Sequence, residues 1–143
     1  MTKKFLVVII IVGLIIGGII TWKYCKVPFR ELLGLPKTSV IEVYGKDSGS
    51  IIEVTEADSI VITLRNPGDG GYVFDEPEFD PSVLELESHE HLPPLTPKPG
   101  DFGSDRWKFR VLRPKESKIE IYIYQPWKEE EKKLDFVLNI VPK

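Results

Sequence analysis

From residue 38 onward, apolar and polar side chains alternate with a period of two, and turn-forming residues interrupt the alternation every 8 to 15 positions. A strand sends successive side chains to opposite faces, so the pattern predicts β-strands with one packed face and one wet face. Ile41 and Val43, then Ile52 and Val54, then Ile60, Ile62 and Leu64 each line one face, with turns at 45–49 and 55–58 between them. Later stretches alternate more cleanly. Trp107, Phe109 and Val111 oppose Arg106, Lys108 and Arg110; Ile119, Ile121 and Ile123 oppose Lys118, Glu120, Tyr122 and Tyr124. Leu134, Phe136, Leu138 and Ile140 oppose Asp135 and Asn139. Leu84 and Leu86 mark another strand, and Tyr72 and Phe74 a short one. The expected fold is an all-β, immunoglobulin-like antiparallel β-sandwich of seven or eight strands over residues 38–143. No long helical window follows residue 37, and the chain has no internal repeat.

The N-terminal segment has a different pattern. Residues 5–20 are all apolar or Gly, and Thr21 and Trp22 extend the run to 18 residues. As a helix this is about 27 Å long, against a hydrocarbon core of about 30 Å. Lys3 and Lys4 precede it, and no cleavage site with small residues follows, so residues 1–22 are expected to be an uncleaved signal anchor or transmembrane helix. Trp22 and Tyr24 suit the membrane interface, and residues 23–37 read as a juxtamembrane linker, within which 27–37, bounded by Pro28 and Pro36, form a short tether. The domain is then expected outside the cytoplasm on a single-pass anchor, or secreted if the segment is removed. Basic residues flank the run on both sides, so charge bias does not set its orientation. Cys25, the only cysteine, is read as an unmodified thiol beside the membrane.

With no cysteine in residues 38–143, no disulfide can form within the domain, and its stability must come from its core. This region carries 13 Lys and Arg against 21 Asp and Glu, a net charge of −8, whereas residues 1–37 carry +5. Phosphate binding needs a basic footprint, so nucleic acid is excluded as a partner of the domain. The stretch from Asp69 to Glu90 holds eight carboxylates and no Lys or Arg, and reads as a solvated acidic edge.

Three glycine- or proline-bearing turns lie at strand ends: Asn66-Pro67-Gly68-Asp69-Gly70-Gly71, Gly100-Asp101-Phe102-Gly103 and Gln125-Pro126-Trp127. Gly68, Gly70 and Gly71 free the backbone for close approach to another surface, while Pro67 fixes its own φ. Trp127 sits at the end of a clean strand, where a core position is not expected, and Trp is the residue most enriched in binding hot spots. The set and its order resemble the chagasin-type inhibitors of papain-like cysteine peptidases. That family's loops read Asn-Pro-Thr-Thr-Gly, Gly-x-Gly-Gly or Gly-x-x-Gly, and Arg-Pro-Trp.

The resemblance implies a β-sandwich and a reversible, non-covalent inhibitor. Residues 66–71 would enter the catalytic centre without offering a scissile bond, residues 100–103 would lie along the substrate groove, and Trp127 would pack on an aromatic residue of the peptidase. Two departures stand out. Gly68 and Asp69 replace two threonines, exchanging a hydroxyl for a carboxylate, and Gln125 replaces an Arg, keeping a hydrogen-bonding head without its charge.

No nucleophile-elbow motif is present, the domain lacks Cys, and only two histidines occur, so the chain is not expected to be an enzyme or to need a cofactor. Glu87, His89 and His91 would share one face of an extended strand, but a row on one strand closes poorly around an ion, and no metal site is expected. The expected partners are a papain-like cysteine peptidase and, through residues 5–22, a membrane. The soluble domain is expected to be monomeric. The alternative is a membrane-tethered, non-inhibitory adhesion or assembly module that keeps the sandwich and the loops.

Overall fold

The computed structural model describes residues 38–143 except Pro97. The anchor and linker expected over residues 1–37, with Cys25, lie outside the described residues. Among the described residues no helix is long and apolar enough to cross a membrane.

Among the described residues nine strands form: β1 (Val40–Tyr44), β2 (Ile51–Val54), β3 (Ser59–Arg65), β4 (Val73–Phe74), β5 (Glu78–Phe79), β6 (Leu84–Leu92), β7 (Ser104–Val111), β8 (Ser117–Gln125) and β9 (Lys128–Pro142). One sheet has the order β1-β3-β7-β6, and the other β2-β9-β8-β4, with β5 pairing β8 farther along its length. Their inner faces share one core, to which Ile60, Ile62, Trp107 and Phe109 contribute from the first sheet and Ile119, Ile121, Phe136, Leu138 and Ile140 from the second. The alternation read from the sequence is thus the inward face of a β-sandwich. Phe74 and Phe79 close one side, meeting Trp107 and Phe109 edge to face with ring centroids 5.0 and 5.2 Å apart.

Three features depart from expectation. The sheets are not antiparallel throughout, because β1 runs parallel to β3 and β2 parallel to β9. Parallel neighbours need a crossover, and β2, which lies in the opposite sheet, carries the chain from β1 to β3. The ninth strand is β5, a two-residue pairing of Glu78 with Glu120 and Phe79 with Ile119, too short to leave a periodic signal. The third departure is at Leu134. The register between β8 and β9 shifts so that Ile121 faces Phe136 while Tyr122 faces Leu134, and Leu134 is exposed rather than in the core.

The end of the sandwich away from the three turns is fixed by Asp58. This buried carboxylate accepts the backbone N–H and hydroxyl of Ser39, at 2.9 and 2.8 Å, and those of Thr55, at 2.7 and 2.8 Å. It ties the starts of β1 and β3 to the end of β2. Burial is the largest single influence on its pKa and raises it, but the four hydrogen bonds together outweigh burial and hold the carboxyl below its ordinary value.

Candidate functional site

The three turns singled out in the sequence meet at one end of the sandwich. Arg65 at the end of β3 pairs with Ser104 at the start of β7, Leu92 at the end of β6 pairs with the same Ser104, and Gln125 and Lys128 close the β8–β9 hairpin. Residues 66–71 follow β3, residues 93–103 join β6 to β7, and Pro126 and Trp127 form the hairpin tip. The first two turns thus share one end of the first sheet, and the hairpin tip of the second sheet reaches them through Gln125 and Trp127.

The first loop is tied on both sides. The backbone N–H of Asn66 donates to the Gly103 carbonyl at 2.9 Å, and the Asn66 side chain accepts from the Gly68 N–H at 3.0 Å, which fixes the turn through Pro67. Asp69–Gly71 is a short 3₁₀ turn in which Gly70 and Gly71 have φ of 76° and 75°, a region that a side chain would strain. Its other flank is held by Gln125, whose Nε2 donates to the Gly70 carbonyl at 2.8 Å. The amide that replaces a guanidinium in the resemblance thus points to the neighbouring loop.

Two aromatic rings cover the glycines of this loop. Phe102 lies against Gly68, and the Trp127 ring lies against Gly71, with no room for a Cβ between ring and backbone at either place. Both rings still present area to solvent: Phe102 is 43% exposed and Trp127 66%. In the second loop the Asp101 side chain accepts from the Gly103 N–H at 3.0 Å. Gly100 has open space around it, whereas Gly103 is buried against the Leu92 carbonyl at φ 78°. Of the four residues in this turn, Asp101 and Phe102 carry its side-chain surface, and Gly103 serves the packing of the loop on β6.

Beneath the first loop lies a group that the sequence reading missed. Asp105, buried on β7, accepts from Asn66 Nδ2 at 2.6 Å and lies 3.1 Å from His89 Nε2 and 3.3 Å from His91 Nδ1. Spacing along the strand groups the two histidines with Glu87 instead. A bulge between Leu86 and Ser88 breaks the alternation there, so Glu87 pairs with Lys108 and Arg110 while His89 and His91 fall opposite Trp107 and Asp105. The third partner is therefore across the ladder, where spacing along one strand gives no sign of it. Among the described residues no three such side chains are grouped to hold a metal ion.

Residues 53–140 match the model of the chagasin family of peptidase inhibitors, family I42. Among solved structures, the cysteine protease inhibitor EhICP2 from Entamoeba histolytica has a TM-score of 0.65 at 19% identity, covering 76% of this chain and 99% of that one. Amebosin follows at 0.46 and 16%, over 76% and 100%, and PbICP-C in complex with falcipain-2 at 0.36 and 12%, over 75% and 93%. No curated protein has significant sequence similarity to the chain. The EhICP2 likeness concerns the fold, and the family match spans β2 to β9 with all three turns. The chain belongs to the chagasin family of peptidase inhibitors.

Proposed function

We propose that the chain is a reversible, non-covalent inhibitor of papain-like cysteine peptidases that inserts residues 66–71, 100–103 and 125–127 into the active-site cleft. The observation that carries this reading is the mutual contact of the three turns at one end of the domain, with Phe102 and Trp127 packed on the middle turn yet still exposed. A peptidase of this class works in a cleft with a thiolate and an imidazole at its base. A blocker must be narrow, must resist cutting and must bring contact area of its own.

The first loop meets the second need by its shape. Its 3₁₀ turn, closed by the Gly71 N–H on the Gly68 carbonyl at 3.2 Å, offers no extended peptide to a nucleophile. Trp127 and Phe102 flank it and supply apolar area on either side. Because the loop is tied to Gly103, Asp105 and Gln125 before any partner arrives, little ordering entropy remains to oppose association.

In this reading residues 1–22 anchor the domain outside the cytoplasm and residues 23–37 tether it, with the domain acting as a monomer. The test is an inhibition assay of residues 38–143 against papain, in which competitive, reversible inhibition is expected. Failure against several papain-like enzymes would favour a non-inhibitory adhesion or assembly module.

A further inference from the structure

The contacts around Asp105 form a continuous path from the β6 edge to the first loop. His89 and His91 reach the carboxylate from one side, Asn66 Nδ2 reaches it from the other, and the Asn66 oxygen accepts from Gly68 N–H. Asp105 is 6% exposed, and a buried carboxylate is costly unless its oxygens are well partnered. A neutral imidazole can serve it only from the nitrogen that bears the proton, whereas an imidazolium always has a donor there and adds opposite charge. Both imidazole side chains are about half exposed, so they exchange protons freely with solvent.

We propose that His89 and His91 are positioning residues for loop 66–71, acting through Asp105 and Asn66, and that their protonation tightens that loop. The surroundings agree in sign. His89 stacks on Trp107, with ring centroids 4.7 Å apart, and lines a cleft with Asp75 and Glu76 from the β4–β5 connection. Lys132 of β9 is already paired with Asp75. On β7, Lys108 and Arg110 alternate to the outer face and pair there with Glu87 and Glu85, while Arg106 stands opposite Glu90 in the register. Arg65, at the end of β3, turns to the Gly100 carbonyl. Asp105 is thus the charged group in contact with both imidazoles, and Asp75 and Glu76 share the cleft that His89 lines.

The structural part of this inference does not depend on the inhibitor reading; only its consequence for binding does. The test is nitrogen-15 NMR of the full chain in mild detergent between pH 8 and 5.5. The Asn66 side-chain amide and the Gly68 backbone amide are expected to shift together with the imidazole titration. Gly68 exchange, corrected for intrinsic chemistry, should slow roughly tenfold, as the His89 and His91 contacts that hold the acceptor of Asn66 in place become ion pairs.

The His89→Gln, His91→Gln double variant changes two half-exposed side chains, so it should fold and lose this response. Unmoved Asn66 and Gly68 signals while the imidazoles titrate, or the same response in the double variant, would overturn the proposal. Inhibition of papain at each pH should tighten toward acid for the parent relative to the double variant. Absence of inhibition by both would count against the inhibitor reading, and the resonances would still decide the positioning role.

Discussion

The ring of Phe102 occupies the space that a side chain at residue 68 would need: a Cβ on Gly68 would lie 2.6 Å from Phe102 Cγ. The first two turns are therefore matched to each other. Where the chagasin-type pattern has a threonine at residue 68, this chain has none, and the second turn supplies the bulk across the gap. Gly68→Thr is expected to drive Phe102 outward, with little effect on the fold because the ring is half exposed. Binding of a papain-like enzyme should weaken, and adding Phe102→Gly should recover part of the loss. A double-mutant cycle on inhibition constants should show coupling of about 1 kcal/mol or more, the range for residues in contact.

Trp127 should separate binding from folding. It is 66% exposed at a hairpin tip, so Trp127→Ala should shift unfolding by less than about 0.5 kcal/mol. If the ring anchors an interface, the same change should weaken inhibition by about 2 kcal/mol, roughly thirtyfold. Parallel unfolding and inhibition measurements check both halves. A large stability loss would assign Trp127 to the fold rather than to the partner.

Asp58 should make the domain sensitive to acid. Its folded carboxyl titrates below the ordinary value of about 3.9, so its stabilisation is fully present above that value and is lost as pH falls through the lower, folded pKa. Asp58→Ala leaves the Ser39 and Thr55 donors without their acceptor and should cost about 3 kcal/mol at neutral pH. Urea unfolding between pH 7 and 3 should show the difference between parent and variant shrinking toward the acid end.

Residues 38–143 should fold without the apolar segment, since they form one compact unit with a continuous core. The expected product is a monomer with a β-type far-ultraviolet spectrum and a melting temperature unaffected by reductant, because it contains no cysteine. Sedimentation and circular dichroism would check this directly.

Inward positions were legible in the sequence wherever a strand is regular. Ile60, Ile62 and Leu64, Trp107, Phe109 and Val111, and Ile119 and Ile121 are all buried as their alternation implies. The three turns stood out by their glycines, prolines and Trp127, but that they share one end followed only from the resemblance to a wedge-like inhibitor. Strand direction was not, since alternation reads the same both ways, and the parallel pairs β1–β3 and β2–β9 leave no mark in it. Bulges were equally hidden. They belong to the pairing of two strands, so neither the outward turn of Leu134 nor the separation of Glu87 from His89 could be read from one strand alone. Asp105 escaped notice for the same reason, as its partners come from β6 and from the residue after β3.

The parallel pairing of β2 with β9 sets an order of events for the newborn chain. Ile51–Val54 are made well before their neighbours in the sheet, Asn139 to Pro142, which lie 88 positions farther along the chain. Val54 keeps its strand edge open until those residues leave the ribosome, and its carbonyl also receives the N–H of Lys143. Contacts between such distant positions pay their loop-closure entropy before they return any energy, so the second sheet closes late and slowly. In that interval the open edge of β2 is available for pairing with a neighbouring chain.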